Sequence, residues 1–160
     1  MKLFLLRHAA AENTCPDSSR MLSAGGLEQI SALALRVDAC AFSNLVQIWH
    51  SPYVRAEQTA KIFAETLALN VPLETISNIT PEDDPRKAAC ALSQIAGMGC
   101  DLLVVGHNPH LEALAALLVF GDMRRPIVRF DNCSLLSLEL LEAPNAANEH
   151  GIWMISEFLS

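Results

Sequence analysis

Apolar runs and helix-like patterns alternate along the chain. Runs typical of buried strands cover residues 2–6, 45–50, 71–76, 101–106, 133–140 and 151–156. Four other segments place apolar residues at helical spacing, namely 24–37, 52–67, a segment from 85 onward and 109–120. Strands that alternate with helices predict βαβ units, and hence a largely parallel sheet with helices on both faces. The last two runs predict an antiparallel hairpin at one edge.

The helix starts carry side-chain signals. Ser23 is the expected N-cap of the first helix, on which Leu27, Ile30, Leu33 and Val37 share one face. No repeat or linker-like segment interrupts the pattern, so we expect one domain over residues 1–160.

The other three helices have comparable start signals. Ser51 is the expected N-cap of the second helix, with Pro52 at its first position. Asp84 precedes Pro85 in the same way at the third helix. The pair Asn108-Pro109 is expected to open the fourth helix.

Composition limits the class of protein. The chain has 160 residues, 51% of them hydrophobic, which is typical of a globular domain. Its net charge of −7 argues against a nucleic-acid partner, and the short basic cluster Arg124, Arg125 and Arg129 is expected to be a solvated loop edge. The apolar stretch LEALAALLVF is too short to span a bilayer and contains Glu112, so no membrane partner is expected.

The cysteine pattern indicates a reducing compartment. Five cysteines, an odd number without CxxC spacing, fit neither a disulfide framework nor a zinc site. They are Cys15, Cys40, Cys90, Cys100 and Cys133. Because no secretory signal is apparent either, we expect a cytoplasmic location.

Four polar residues follow the predicted strands at one side of the sheet. Arg7 and His8 come just after the first strand, His107 comes just after the fourth, and Arg55 lies in the first turn of the second helix. Ligands of open α/β sheets bind beyond the carboxyl ends of the strands. We therefore expect these four side chains to meet at one site.

Their chemistry suits a phosphoryl group. Arginine presents a planar fork of donors to phosphate oxygens, and a neutral histidine is a nucleophile. Helix N-termini add free N–H groups, and the small residues after His8 let the backbone approach an anion. The sequence thus predicts a local cationic pocket on an acidic protein.

Simpler roles stay open for single residues. Arg55 could instead pair with Glu57 or Glu65 on the surface, and His107 could be satisfied by backbone groups. We expect the two tryptophans to be packing residues and the other histidines to be structural or exposed, although His110 is near enough to line the pocket. These residues are Trp49, Trp153, His50, His110 and His150.

The longer motifs resemble a known family. LFLLRHAAAE, LSAGGLEQ, IWHSPYVRAEQTA, ITPEDDP and LLVVGHNPHLEALA occur in this order between residues 2 and 118. The series RH, SPxxRAxQT and GHNP is similar to the histidine phosphatase superfamily, and within it to the SixA-type phosphohistidine phosphatases. The resemblance implies a three-layer α/β/α sandwich of phosphoglycerate mutase-like architecture, with a mostly parallel sheet and an antiparallel edge hairpin.

The resemblance also implies a mechanism. His8 would attack phosphorus and form a phosphohistidine intermediate, while Arg7, Arg55 and His107 bind the phosphoryl oxygens. No metal and no cofactor would be needed. Ala9 stands where the wider superfamily has glycine, which is tolerable unless the backbone there has positive φ.

The proton donor is less well marked. The superfamily uses a carboxylic acid to protonate the leaving group, and the candidates here are Glu82, Asp83 and Asp84. Asp84 is better explained as an N-cap and Asp83 as a solvated residue. Glu82 is therefore the predicted proton donor, and it has less support from the sequence than the other predicted catalytic residues.

Leaving-group chemistry then favours one substrate. An imidazole can be protonated before it leaves, whereas an alkoxide needs a positioned acid. A small open pocket without a secure acid therefore predicts a phosphohistidine phosphatase that acts on a partner protein, such as a phosphotransfer-type domain, in signal transduction. The alternatives are a small-molecule phosphomonoesterase or phosphomutase, and a catalytically silent phosphate-binding module.

Overall fold

The computed structural model describes residues 1–160 and places every predicted apolar run in one sheet. The strands are β1 (Lys2–Arg7), β2 (Leu45–His50), β3 (Leu73–Thr75), β4 (Asp101–Gly106), β5 (Leu135–Glu142) and β6 (Ile152–Leu159). Their order in the sheet is β3-β2-β4-β1-β5-β6. The first four strands are parallel, and β5 is antiparallel to both β1 and β6. The predicted sheet with an antiparallel edge hairpin is confirmed.

The strand register brings the carboxyl ends of three strands together. Arg7 at the end of β1 pairs with Gly106 at the end of β4, and His50 at the end of β2 pairs with Val105. The residues that follow these strands therefore leave the sheet side by side, as predicted for residues that form a common site.

Four helices cover the sheet in two layers. They are α1 (Ala24–Arg36), α2 (Val54–Thr66), α3 (Pro85–Ile95) and α4 (His110–Phe120). One apolar core contains α3 and α4 side chains, and the other contains those of α1 and α2. The predicted three-layer α/β/α sandwich is confirmed. No helix is both long enough and apolar enough to cross a membrane.

The continuous apolar character of β1 follows from this layering. Leu3 and Leu5 belong to the α3/α4 core, whereas Phe4 and Leu6 belong to the α1/α2 core. Alternate side chains of a strand point to opposite faces, so a strand covered on both sides needs apolar residues at every position. Burial of each such side chain stabilises the fold by roughly 2 kcal/mol.

The first helix differs from the prediction in which residues it buries. Ser23 caps it as expected by accepting a hydrogen bond from Gly26 N–H, but Leu27 is 44% exposed. Val37 ends the helix rather than continuing its apolar face. The buried face shifts because Gly26 packs directly against the Ala10 carbonyl, where a Cβ would lie 1.9 Å from the oxygen.

The two helices beside the predicted site begin later than expected. The second starts at Val54 with Tyr53 at its cap position, and the fourth starts at His110. Neither has a side-chain N-cap, so the prediction of Ser51 as N-cap and Pro52 as the first helical residue was wrong. By contrast, Asp84 caps α3 as predicted, accepting a hydrogen bond from Arg86 N–H.

Residues predicted to lie outside the site behave accordingly. All five cysteines are free, and Trp49 and Trp153 are 8% and 3% exposed in the core. Arg124 and Arg125 extend into solvent and pair only with Asp122.

Candidate active site

The four predicted residues meet beyond the carboxyl ends of β1, β2 and β4. The Nε of Arg55 lies 3.2 Å from Nε2 of His8. The rings of His8 and His107 have their centroids 4.8 Å apart. Arg7 precedes His8 and lies close enough for its charge to act on the imidazole. Residues from three separate segments therefore form one cationic cluster.

Hydrogen bonds fix the tautomer of His8. Its Nδ1 lies 2.7 Å from the Ala9 carbonyl, which can only accept, so Nδ1 carries the proton. Nε2 then holds the free electron pair and accepts a hydrogen bond from Arg55 Nε–H. The main chain is anchored as well, because His8 N–H donates to the Gly106 carbonyl at 3.0 Å. His8 thus presents an unprotonated nitrogen beside a guanidinium.

Burial and positive charge keep His8 neutral. Only 9% of its surface is exposed, and burial lowers its pKa to about 4, with help from the charges of Arg55, Arg7 and Arg20. Both effects disfavour the imidazolium form. A neutral imidazole at physiological pH is the form that acts as a nucleophile.

Arg55 is a buried arginine with three partners. Its side chain is packed in the first turn of α2, with 4% of the residue exposed. Besides His8, it donates from Nη1 to the Asp17 carbonyl at 2.7 Å and from Nη2 to the Asp17 carboxylate at 2.9 Å. Its guanidinium carbon also lies 4.8 Å above the Tyr53 ring centre. The alternative of a surface pair with Glu57 or Glu65 is wrong, since Glu57 binds Lys61 instead.

Arg7 is held from the other side of the cluster. Its Nη1 donates to the Phe130 carbonyl at 2.7 Å, and its buried Nε has no hydrogen-bond partner within the chain. Burial lowers its pKa, although Glu112 and Asp131 act in the opposite direction. The guanidinium stays charged and keeps donor groups free for an anion.

His107 is oriented by a side chain rather than by backbone. Its Nε2 lies 2.8 Å from the Ser51 hydroxyl, which also accepts a hydrogen bond from Tyr53 N–H at 3.3 Å. The Tyr53 ring packs 5.0 Å from the imidazole. Burial first, and then the electrostatic interactions with His8 and Arg55, lower the His107 pKa to about 2. The ring is therefore neutral, and its position depends on Ser51 and Tyr53.

Ala9 fits the position at which the resemblance implied a glycine. It is not among the residues with positive φ, so its methyl group causes no backbone strain. Its N–H donates to the Thr59 hydroxyl at 3.1 Å, and Thr59 in turn donates to the Arg55 carbonyl at 2.6 Å. This chain of bonds ties the segment that follows His8 to the helix that carries Arg55.

The three acidic candidates take different places. Glu82 is exposed on the loop before α3 and lies beside Tyr53, whose pKa it helps to raise after the main effect of burial. Asp83 is partly exposed, as expected for a solvated residue, and accepts hydrogen bonds from the N–H and hydroxyl of Thr80. Glu82 thus reaches the rim of the site through Tyr53.

A neighbouring cavity of about 450 Å³ includes Glu82, Pro109 and His110 in its lining. His110 is 1% exposed at the start of α4.

His50 is buried and bonds through Nδ1 to the Ser51 carbonyl at 3.0 Å, whereas His150 lies in the loop between β5 and β6. The structure thus leaves His50 and His150 outside the cluster, as the sequence predicted.

Three contributors were missed by sequence reasoning. Asp17 lies in a loop without any periodic signal, and nothing in its spacing connects it to Arg55. Ser51 was assigned to a helix start because serine before proline is a typical cap. Thr59 falls four residues after Arg55 in the SPxxRAxQT motif, and this helical spacing could have marked it.

No group of three or more His, Cys, Asp or Glu side chains is arranged to hold a metal ion. The donors at the cluster are guanidinium groups and imidazoles. The positively charged guanidinium groups suit an anionic ligand such as a phosphoryl group.

Comparison with known sequences identifies related proteins. The model of the histidine phosphatase superfamily (branch 1) matches residues 3–79. The phosphohistidine phosphatase SixA of Escherichia coli (strain K12) is 28% identical over 124 residues, which cover 76% of each chain. The resemblance predicted from the sequence is confirmed.

Solved structures share the fold. The protein histidine phosphatase SixA complexed with tungstate has a TM-score of 0.82 and 24% identity, covering 100% of this chain and 97% of its own. A mycobacterial glucosyl-3-phosphoglycerate phosphatase has a TM-score of 0.67 and 15% identity, covering 98% and 97%. The same fold therefore occurs in phosphatases with different substrates, and it does not select a substrate by itself.

Proposed function

We propose that the chain is a histidine phosphatase and that it removes the phosphoryl group from a phosphohistidine residue of a partner protein. The similarity of residues 3–79 to the superfamily model and of the chain to SixA supports this proposal. The observation that carries this proposal is the state of His8. Its Nε2 is unprotonated, and Arg55 Nε–H lies 3.2 Å away. This contact supports the proposed roles of His8 as nucleophile and of Arg55 as a phosphate-binding group.

The reaction has two steps in this proposal. The electron pair of His8 Nε2 forms a bond to phosphorus while the P–N bond of the substrate breaks. The substrate imidazole is already protonated on its other ring nitrogen, so it leaves as a neutral imidazole. Water then attacks the phosphohistidine of the enzyme, which releases inorganic phosphate and restores neutral His8. Arg7, Arg55 and His107 bind the phosphoryl oxygens and stabilise their charge in both transition states.

The carboxylates around the site support a leaving group that is easily protonated. Hydrogen bonds lower the pKa values of Asp17, Asp83 and Asp84, so these groups are ionised at neutral pH and cannot donate a proton. Glu82 is the remaining candidate, and it is exposed to solvent. An alkoxide would need a secure acid here, whereas an imidazole protonated beforehand would not.

A direct test compares substrates and traps the intermediate. We expect faster turnover of phosphohistidine, free and within a phosphotransfer-type domain, than of sugar or glycerate phosphates. A brief pulse of ³²P-labelled substrate should leave acid-labile label on the wild-type chain. His8→Ala should lower turnover at least about a thousandfold and should abolish labelling.

His150→Ala is the matched control, because it removes a histidine far from the cluster and should keep full activity. A preference for a sugar phosphate would favour a small-molecule phosphomonoesterase or phosphomutase instead. Phosphate binding without any turnover would point to a silent binding module. Unchanged hydrolysis by His8→Ala would refute the assignment of the nucleophile.

A further inference from the structure

A single exposed carboxylate joins two arginines at the mouth of the site. Asp17 contacts Arg55 Nη2 through Oδ2 at 2.9 Å and Arg20 Nη1 through Oδ1 at 2.9 Å. Its carbonyl accepts a further hydrogen bond from Arg55 Nη1 at 2.7 Å. The side chain of Asp17 is 52% exposed, while that of Arg55 is 5% exposed. The acid thus approaches a buried cation from the solvent side.

The loop that carries Asp17 is fixed at its base. Ala11 and Leu22 form a bridge, and Glu12 N–H donates to the Met21 carbonyl at 2.8 Å. Arg20 also closes the loop by donating from Nε to the Glu12 carbonyl at 2.5 Å. The placement of Asp17 is therefore set by the fold of residues 11–22 and not by its side chain alone.

Asp17 and the nucleophile face different edges of the Arg55 guanidinium. The two Nη groups at the end of the fork are directed to Asp17, and the Nε edge is directed to His8. A phosphoryl group on His8 Nε2 would contact the Nε edge, so it does not have to displace Asp17 to bind. It would nevertheless meet a guanidinium whose charge is already shared with a carboxylate.

From this geometry, and given the proposed function, we propose that Asp17 is a counter-ion of Arg55 and Arg20 that weakens the binding of free phosphate and so favours its release. Inorganic phosphate binds mainly through charge, and a nearby negative charge repels it. A phosphorylated protein side chain adds contacts from its leaving group and its surroundings. Inorganic phosphate has no such contacts, so its affinity depends more strongly on the charge that Asp17 opposes.

The test measures inorganic phosphate binding by calorimetry, without any phosphohistidine substrate. Asp17→Asn keeps the size and an acceptor oxygen but removes the charge. It should bind phosphate roughly threefold more tightly at low ionic strength, as expected when one partly solvated negative charge near the anion is removed. The difference should shrink towards zero at about 1 M salt, where screening extends over only about 3 Å.

Asp122→Asn is the matched control. Asp122 also lies between two arginines, Arg124 and Arg125, but beyond the opposite end of α4 from His110. We expect its phosphate affinity to equal that of the wild type. Asp17→Ser should shift the affinity in the same direction as Asp17→Asn, and this second variant guards against a local effect of the amide.

Two outcomes would overturn the proposal. If both Asp17 variants bind phosphate more weakly than the wild type, Asp17 positions Arg55 instead of opposing the anion. If affinity is unchanged at low salt, its charge does not reach the site. Absence of phosphate binding by the wild type would overturn the proposed function as well, so the two failures are distinguishable.

Discussion

The four helices of this protein begin in two different ways. On α1 and α3, Ser23 and Asp84 accept hydrogen bonds from the first turn, as their position in the sequence predicts. On α2 and α4, which border the site, no side chain caps the first turn. Ser51 bonds to His107, and the amide of Asn108 donates to the Phe130 carbonyl and to Glu112.

The difference shows that the usual side-chain capping of helix starts is absent at the two helices that border the site. A polar side chain before a helix can satisfy the free N–H groups of the first turn, and this is its usual contribution to stability. Beside the cluster, the same residue types orient His107 and the Phe130 loop, while the N–H groups at those helix starts stay free of side-chain caps. The capped starts serve stability, and the uncapped starts serve the site.

Two arginines at matching positions give the largest expected contrast. Arg55 is the second residue of α2 and Arg86 the second residue of α3, but Arg86 bonds only to its own cap, Asp84. Arg55→Ala should lower kcat/KM by about 10²–10³-fold, because it removes a donor that stabilises transition-state charge. Arg86→Ala should keep the activity of the wild type. Steady-state kinetics of both variants would contradict the distinction if they lost activity equally.

Acidification should expose the cost of keeping histidines neutral at the site. The pKa values of His8 and His107 are lowered to about 4 and about 2, so the unfolded chain binds protons near pH 6.5 that the folded chain does not. The free energy of unfolding should therefore be at its full value above pH 6.5. It should decrease as the pH falls from 6.5 towards 5. Carboxylates contribute little in this window because they titrate lower.

Urea unfolding at pH 7.5, 6.5 and 5.5 measures this dependence. His8→Gln should show a shallower loss of stability, because one of the groups that remain neutral only in the folded state is absent. Equal slopes for the variant and the wild type would mean that His8 titrates normally in the folded protein.

Ser51 tests the uncapped helix start directly. Ser51→Ala removes the hydrogen bond to His107 Nε2 at 2.8 Å. A lost hydrogen bond of about 1 kcal/mol should lower kcat by roughly fivefold to tenfold. The measurement is kcat with unfolding followed in parallel. A large loss of stability with unchanged kcat would return Ser51 to the role of a structural residue.

The sequence predicted the architecture because the architecture depends on local patterns. Buried strands covered on both faces need continuous apolar runs, and residues 3–6 and 102–105 have them. It predicted Arg7, His8, Arg55 and His107 at one site because the carboxyl ends of parallel strands share one edge. These conclusions required no knowledge of individual contacts.

Contacts between distant segments could not be predicted in this way. Asp17 reaches Arg55 across a separation of 38 residues, from a loop whose position depends on the Ala11–Leu22 bridge. Leu27 was expected in the core, but the close approach of Gly26 to Ala10 sets how α1 lies on the sheet. Such errors arise wherever tertiary packing, and not local propensity, decides the outcome.

The smallest expected effect comes from the capped start of α1. Ser23 Oγ accepts from Gly26 N–H at 3.1 Å, and it contacts none of the four cluster residues. Ser23→Ala should reduce the free energy of unfolding by about 1 kcal/mol, typical of a lost N-cap, and leave kcat unchanged. Together with Ser51→Ala, it separates the two uses of a serine before a helix. A fall in kcat for Ser23→Ala would show that the start of α1 also positions the segment that follows His8, since Ser23 contacts the Ala10 carbonyl.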